Sequence, residues 1–385
     1  MMIVFQSDIF WLLIFLFAFI YPIIYPRVII SYTVSRISNL TDFISSSINE
    51  IKNNLKGKLK KDEKEIDNIL DYFVIYPTTL DPFGIVKKLE HIIDKSEEKL
   101  KNFVNEFFEG DEEELLNIKT TLAILIELNA IKKILDHYSQ TLKKYKNLQL
   151  AILFQMVLPI YEKISRAYYK GAIAISKNYP IGDGIGPLII SKMIDKKDKI
   201  KEIDDCIVVI KKIKNKKVIL IRAKGPGSRI GKLNKVFEKI VKLYKPKKVI
   251  TIDAAQKLEG EKTGSVARGT GIAIGGLGIE KFQIEELITK YNIDLDAIVI
   301  KMSAEEAIKP MNPEIFQSVE KVLKLVEKVI EKSDEPIIII GVGNSVGIPN
   351  LYEEKLEKIV KEGWEKFGKE EEEKKSIIDK IFGLE

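Results

Sequence analysis

Short β-branched runs alternate with amphipathic segments through the second half of the chain, and no other feature limits the fold as strongly. The runs are CIVVIKK, VILIRAK, KVITIDA, AIVIK and PIIIIGVG; among them lie NKVFEKIVKLY, IEELITKY and FQSVEKVLKLVEKVIEK. Brief stretches rich in Ile and Val suit strands covered on both faces, whereas the segments between them repeat their apolar residues at helical spacing. The expectation is a three-layer α/β domain over residues 177–368, with a mostly parallel sheet between helices. Right-handed crossovers then bring the loops that follow the strands to one edge.

The first half has a different texture. From Ile9 to Tyr25 the chain reads IFWLLIFLFAFIYPIIY, about 17 residues without charge, near the lower limit for crossing the hydrocarbon core of a bilayer. Trp11, Tyr21 and Tyr25 sit toward its ends, as interfacial aromatics do, and no basic stretch or small-x-small pattern marks a cleaved signal. Residues 1–30 therefore read as an N-terminal transmembrane anchor. Asp8 precedes the apolar run and Arg27 and Arg36 follow it, which predicts a single-pass protein of the cell membrane with a cytoplasmic body.

Residues 31–64 form a juxtamembrane amphipathic helix and linker in this reading. Apolar positions at Ile30, Val34, Ile37, Leu40, Ile44, Ile48, Ile51, Leu55 and Leu59 suit a partner helix or the membrane surface, including a short stalk that could pair two copies. Residues 65–176 read as a helical domain with room for a protein partner. Within it, Pro77 and Pro82 interrupt the pattern, and Asp81 is placed to cap a helix that starts at Pro82. The run LQLAILFQMVLPIYEKI reads as a buried helix kinked at Pro159. Residues 369–385 form a charged terminal helix or tail.

Inventory excludes several kinds of chemistry. The 62 Lys and Arg are interspersed with 56 Asp and Glu, for a net +6 over 385 residues, and no Arg/aromatic stripe accompanies them, so nucleic acid is not an expected partner. Cys206 stands alone, and His91 and His137 both fall in the helical half. No thiolate or histidine metal site can be assembled in the α/β half, and no metal or cofactor is expected.

The residues with chemical potential lie in glycine-bearing turns after the strands. Asp183 in YPIGDGIGP is read either as a helix cap or as an accessible carboxylate, because the flanking glycines allow a close approach. Asp253 closes the run KVITID, where open α/β sheets bind ligands. A carboxylate there could serve as a general base. The loop KGPGSRIG could hold an anion through Lys224, Gly225, Gly227, Ser228 and Arg229, with Gly343 and Asn344 of GVGN across the edge. GIAIGGLG lacks the strand and acidic residue of a dinucleotide fingerprint.

With these motifs in view, two resemblances emerge. Over nearly its whole length, through LDPFGIVKKLEHIID, PIGDGIGP, IDAAQKLEGEKTG and IGVGN, the chain resembles an uncharacterised family of archaeal membrane-anchored proteins of unknown function. Through PIGDGIGP, LYKPKKVITIDA and TGSVARGTGIAIGG, the C-terminal half resembles the spore germination protease and hydrogenase-maturation protease group. That second resemblance implies a phosphorylase/hydrolase-like fold, with Asp183 and Asp253 engaged in peptide-bond hydrolysis. The leading expectation is a small-ligand or partner-binding module on such a fold. The alternatives are an acid-type peptidase or hydrolase using Asp183 and Asp253, and a structural membrane scaffold.

Overall fold

The computed structural model describes residues 2–61, 64–72, 84–275 and 278–369. Asp81, Pro77 and Pro82, and the tail beyond residue 369, lie outside the described residues. The chain divides into two compact units, Met1–Ser176 and Lys177–Glu385.

The first unit is helical among its described residues: α1 (Met2–Leu55), α2 (Lys64–Leu70), α3 (Ile85–Phe107), α4 (Glu112–Tyr145) and α5 (Leu148–Ser176). A capping box starts α4, with Asp111 accepting from the Glu114 N–H and the Glu114 carboxylate returning to the Asp111 N–H. α1 is long and apolar enough to cross a membrane. Its side chains at Trp11, Phe15, Phe19, Ile23, Ile24 and Val28 are exposed, and among its described side chains the first buried are Ile29 and Ile30. Farther along, Ile37, Leu40, Ile44, Ile48, Ile51 and Leu55 are buried against α4 and α5. The stripe expected to serve a stalk is thus covered within the chain itself. A second departure concerns α5. Its helix continues through Pro159, and Ala151, Phe154 and Leu158 are buried as expected, but Ile152, Leu153, Met156 and Ile160 are exposed on the opposite face.

The second unit contains α6 (Ile185–Met193), β1 (Ile200–Ile203), β2 (Cys206–Ile213), β3 (Lys216–Ala223), α7 (Leu233–Tyr244), β4 (Lys248–Gln256), β5 (Val266–Gly269) and α8 (Ile279–Tyr291). It continues with β6 (Asp294–Met302), α9 (Ala304–Ile308), α10 (Pro313–Lys332), β7 (Ile337–Gly341) and α11 (Lys355–Gly363). The sheet order is β1-β2-β3-β7-β4-β6-β5. Its central strands β3, β7, β4 and β6 are parallel, whereas β1, β2 and β5 add antiparallel edges.

The strands are apolar on both sides because helices cover both. Ile250 and Ile252 of β4 join a core with α6, α10 and α11, while Val249 of the same strand joins α7 and α8 on the other face. The chain passes from β3 through α7 to β4, and from β4 through β5 and α8 to β6. It then returns through α10 on the other face and inserts β7 between β3 and β4. The loops after β3 and β7 therefore lead to helices on opposite faces from the carboxyl ends of neighbouring strands, the edge at which open α/β sheets bind ligands.

Candidate active site

Asp183 lies at this edge because two close backbone approaches bring it there. It occupies a short 3-10 turn, Gly182–Gly184, just before α6. A Cβ on Gly186, in the first turn of α6, would stand 2.2 Å from the Val342 carbonyl oxygen and 2.6 Å from that of Ile252, so only glycine lets the helix rest on the ends of β7 and β4. Gly343 has φ +127, and a Cβ there would lie 1.9 Å from the Asp183 carbonyl oxygen. With the turn seated this closely, the Asn344 N–H donates to Asp183 Oδ2 at 2.8 Å. No side chain caps α6, whose cap position is Gly184. Of the two readings of Asp183, the helix cap is therefore not the one adopted.

Asp253 approaches from the neighbouring strand. It sits in β4 opposite Val299 of β6 and is only 4% exposed. Its Oδ1 accepts from the Ala254 N–H at 2.7 Å and its Oδ2 from the Gly275 N–H at 3.1 Å. One strand position earlier on the same face, Thr251 Oγ1 accepts from the Ala273 N–H at 3.1 Å. The glycine-rich segment that resembles a dinucleotide loop thus lines the Asp253 carboxylate. Gly275 was not singled out from the sequence, although the glycine cluster was visible.

The electrostatics link the two acids. Burial pushes the Asp183 carboxyl above its ordinary range, against the opposing Asn344 N–H. Asp253 is raised well above that range, first by burial and then by the charge of Asp183, and the N–H groups of Ala254 and Gly275 only partly offset this. The charge of Asp183 thus opposes the ionisation of Asp253.

The loop after β3 forms a wall beside this pair. Lys224 Nζ donates to Glu202 of β1 at 2.8 Å, and the Gly225 N–H donates to Asn350 Oδ1 at 2.9 Å. Asn344 Nδ2 donates to Ser228 Oγ at 2.9 Å. Ser345 Oγ lies 2.7 and 2.8 Å from the carbonyl oxygens of Lys224 and Gly227, and its N–H donates to the Arg229 carbonyl at 2.9 Å. The buried Arg229 guanidinium stands 3.7 Å from the Asp205 carboxylate. The residues proposed for an anion are thus brought together with Gly343 and Asn344, and both Lys224 and the Gly225 N–H have protein partners. Across the edge, Ser303 and Glu306 form the capping box of α9, so Ser303 has a structural task.

One residue behind the site gave little sign in the sequence. Arg222 is fully buried at the end of β3, and its guanidinium donates to the carbonyls of Ala223, Pro187, Pro349 and Ile348 at 2.8, 3.2, 3.0 and 3.0 Å. It ties the first turn of α6, which follows Asp183, to the loop that carries Asn344. Burial pushes its guanidinium down to about 9, which leaves it charged at neutral pH. The available signal was a single arginine inside VILIRAK.

Residues 8–178 match the family model described as protein of unknown function (DUF1512) N-terminal domain, and residues 181–349 match domain of unknown function (DUF1512) C-terminal. No curated protein and no solved structure matches the chain. Carrying both domains in order, from the apolar run at its start to the turn that holds Asn344, the chain belongs to the DUF1512 family.

Proposed function

We propose that this protein is a membrane-tethered hydrolase in which Asp183 and Asp253 act as one carboxylate pair on a peptide or related amide bond. The observation that carries the reading is the seating of the Asp183 turn on the ends of β7 and β4, which brings it to the carboxyl edge of the parallel sheet where Asp253 is buried; burial and the charge of Asp183 raise the Asp253 carboxyl. Such a pair retains one proton at a pH where two separate aspartates would hold none. The ionised member takes a proton from water as its oxygen bonds to the carbonyl carbon. The protonated member hydrogen-bonds the carbonyl oxygen and then supplies the proton with which the amine leaves when the C–N bond breaks. The N–H groups of Asn344, Ala254 and Gly275 hold both carboxylates in position meanwhile.

The same geometry argues less for an anion-binding module, because Lys224 faces Glu202 and the Gly225 N–H faces Asn350. The exposed apolar start of α1 supports a membrane anchor, and the arginines that follow it support a cytoplasmic body. Hydrolysis of a peptide library by the full chain in nanodiscs tests the proposal. Asp183→Asn and Asp253→Asn should each lower the rate by about 10²–10⁴-fold. Activity should require one proton on the pair, declining both at acid pH and at pH above the raised Asp253 value. Either variant cleaving a responsive peptide at the wild-type rate would sink the assignment.

A further inference from the structure

The exposed apolar face of α5 has a definite position relative to α1. Gln155 Nε2 donates to Thr33 Oγ1 at 3.2 Å, Arg36 pairs with Glu162 at 3.3 Å, and the Tyr169 hydroxyl donates to Glu50 at 2.7 Å. Sequence number rises together along both helices, so they run parallel, and position 155 of α5 is level with position 33 of α1. At 1.5 Å per residue, Leu153 stands level with about Ser31, roughly 7.5 Å past Pro26, and the α4–α5 turn is level with about Ile23 to Tyr25. That is the level at which the apolar run of α1 ends and its side chains first become covered, at Ile29 and Ile30.

The residues presented at this level suit a lipid surface. Tyr145 is 67% exposed, Leu153 53% and Met156 71%, and Ile152 and Ile160 extend the stripe. Lys143, Lys144 and Lys146 are exposed at the adjoining turn. The chain has no Asp or Glu from His137 to Tyr161, nor from Ile9 to Thr41, where Arg27 and Arg36 add positive charge. An apolar stripe that adjoins a basic turn and lacks acidic residues complements the interface of an anionic bilayer, where the lysines at the membrane-proximal turn extend to phosphates and the apolar side chains beside α1 lie at headgroup level.

We propose that the α4–α5 end of the helical unit is a second membrane contact, with Tyr145, Ile152, Leu153 and Met156 seated in the interface of an anionic bilayer and Lys143, Lys144 and Lys146 on its headgroups. The contact rests on α1 being the anchor, and it fixes the helical unit against the bilayer where a lone helix would leave it free to swivel.

The test uses the full chain in phosphatidylcholine nanodiscs with and without phosphatidylglycerol, carrying one fluorophore at Phe15→Cys, Met156→Cys or Lys101→Cys. Cys206 is buried and does not compete for the label. Position 101 is the reference, because the end of α3 at Phe108 pairs with Leu59, beyond the opposite end of α1. The expected result is quenching of the position-156 probe by headgroup-region spin-labelled lipid, several-fold above position 101, with deep quenching at position 15. Phosphatidylglycerol should strengthen the position-156 signal, and Lys143→Glu, Lys144→Glu and Lys146→Glu together should remove that gain. Deep quenching at position 15 with position 156 no different from 101 overturns the contact while the anchor stands. Loss of quenching at position 15 overturns both. Disulfide cross-linking between two Met156→Cys chains without lipid quenching would assign the stripe to a second copy and overturn the lipid contact.

Discussion

Replacing Gly343 by alanine tests the seam that delivers Asp183 to the sheet edge. The new Cβ would stand 1.9 Å from the Asp183 carbonyl oxygen, and contacts of that kind below 3.0 Å are essentially never seen. The turn must retreat by about 1 Å, which stretches the 2.8 Å bond from the Asn344 N–H to Asp183 beyond hydrogen-bond range. The backbone at φ +127 adds strain of about 1–3 kcal/mol. The lost bond to a carboxylate adds about 1.5–3 kcal/mol. A total of about 2.5–6 kcal/mol lowers the Tm of a domain of this size by roughly 5–24 °C. Misplacing a reacting group by about 1 Å should also slow hydrolysis by about 10²-fold. Thermal unfolding followed by circular dichroism gives the first quantity and peptide cleavage the second. Gly269→Ala is the reference, since a Cβ there meets nothing within 4 Å. If Gly343→Ala matched Gly269→Ala in both Tm and rate, the close-approach argument would be refuted.

Substitutions at Asp253 and Arg222 probe the pair and its support. Asp253 has a folded carboxyl raised above its unfolded value, so its favourable contribution is complete below about pH 3.9 and is lost as pH rises through the folded value. Asp253→Asn should therefore be more stable than wild type at neutral pH and equal to it at acid pH in denaturant unfolding; a variant less stable at neutral pH would contradict the burial argument. Arg222→Ala should destabilise the α/β unit by about 3–5 kcal/mol, because it opens a cavity and leaves the carbonyls of Pro187, Ile348 and Pro349 without their donors. Arg222→Lys should recover only part of the loss in the same assay, since one ammonium cannot span those acceptors.

The central sheet was legible because both of its faces are buried, which makes β3, β4, β6 and β7 read as runs of Ile and Val between amphipathic helices. Asp253 was legible for the same reason, as the first charge at the end of such a run. The edge strand β1 and the antiparallel pairing of β1, β2 and β3 were not, because the two-residue turns are Asp204-Asp205 and Lys214-Asn215, all at positive φ and without glycine. Asp183 was ambiguous, since a GDG turn before a helix reads equally as a cap, and the Asn344 N–H that its carboxylate accepts from is 161 positions away in sequence. Arg222 shows no local pattern at all; its partners are backbone carbonyls gathered by the fold. The apolar α5 was taken for a buried helix because hydropathy does not distinguish a side chain covered by protein from one left exposed.

The proposed hydrolysis requires Asp183 and Asp253 to form one coupled pair, and a titration tests that most directly. The carboxyl carbon of Asp253, followed by ¹³C NMR in wild type and in Asp183→Asn, should titrate at lower pH in the variant, because the charge that opposes its ionisation is gone while burial still holds it above an ordinary aspartate. An Asp253 titration that does not move when Asp183 is neutralised would mean that the two carboxylates do not share a site.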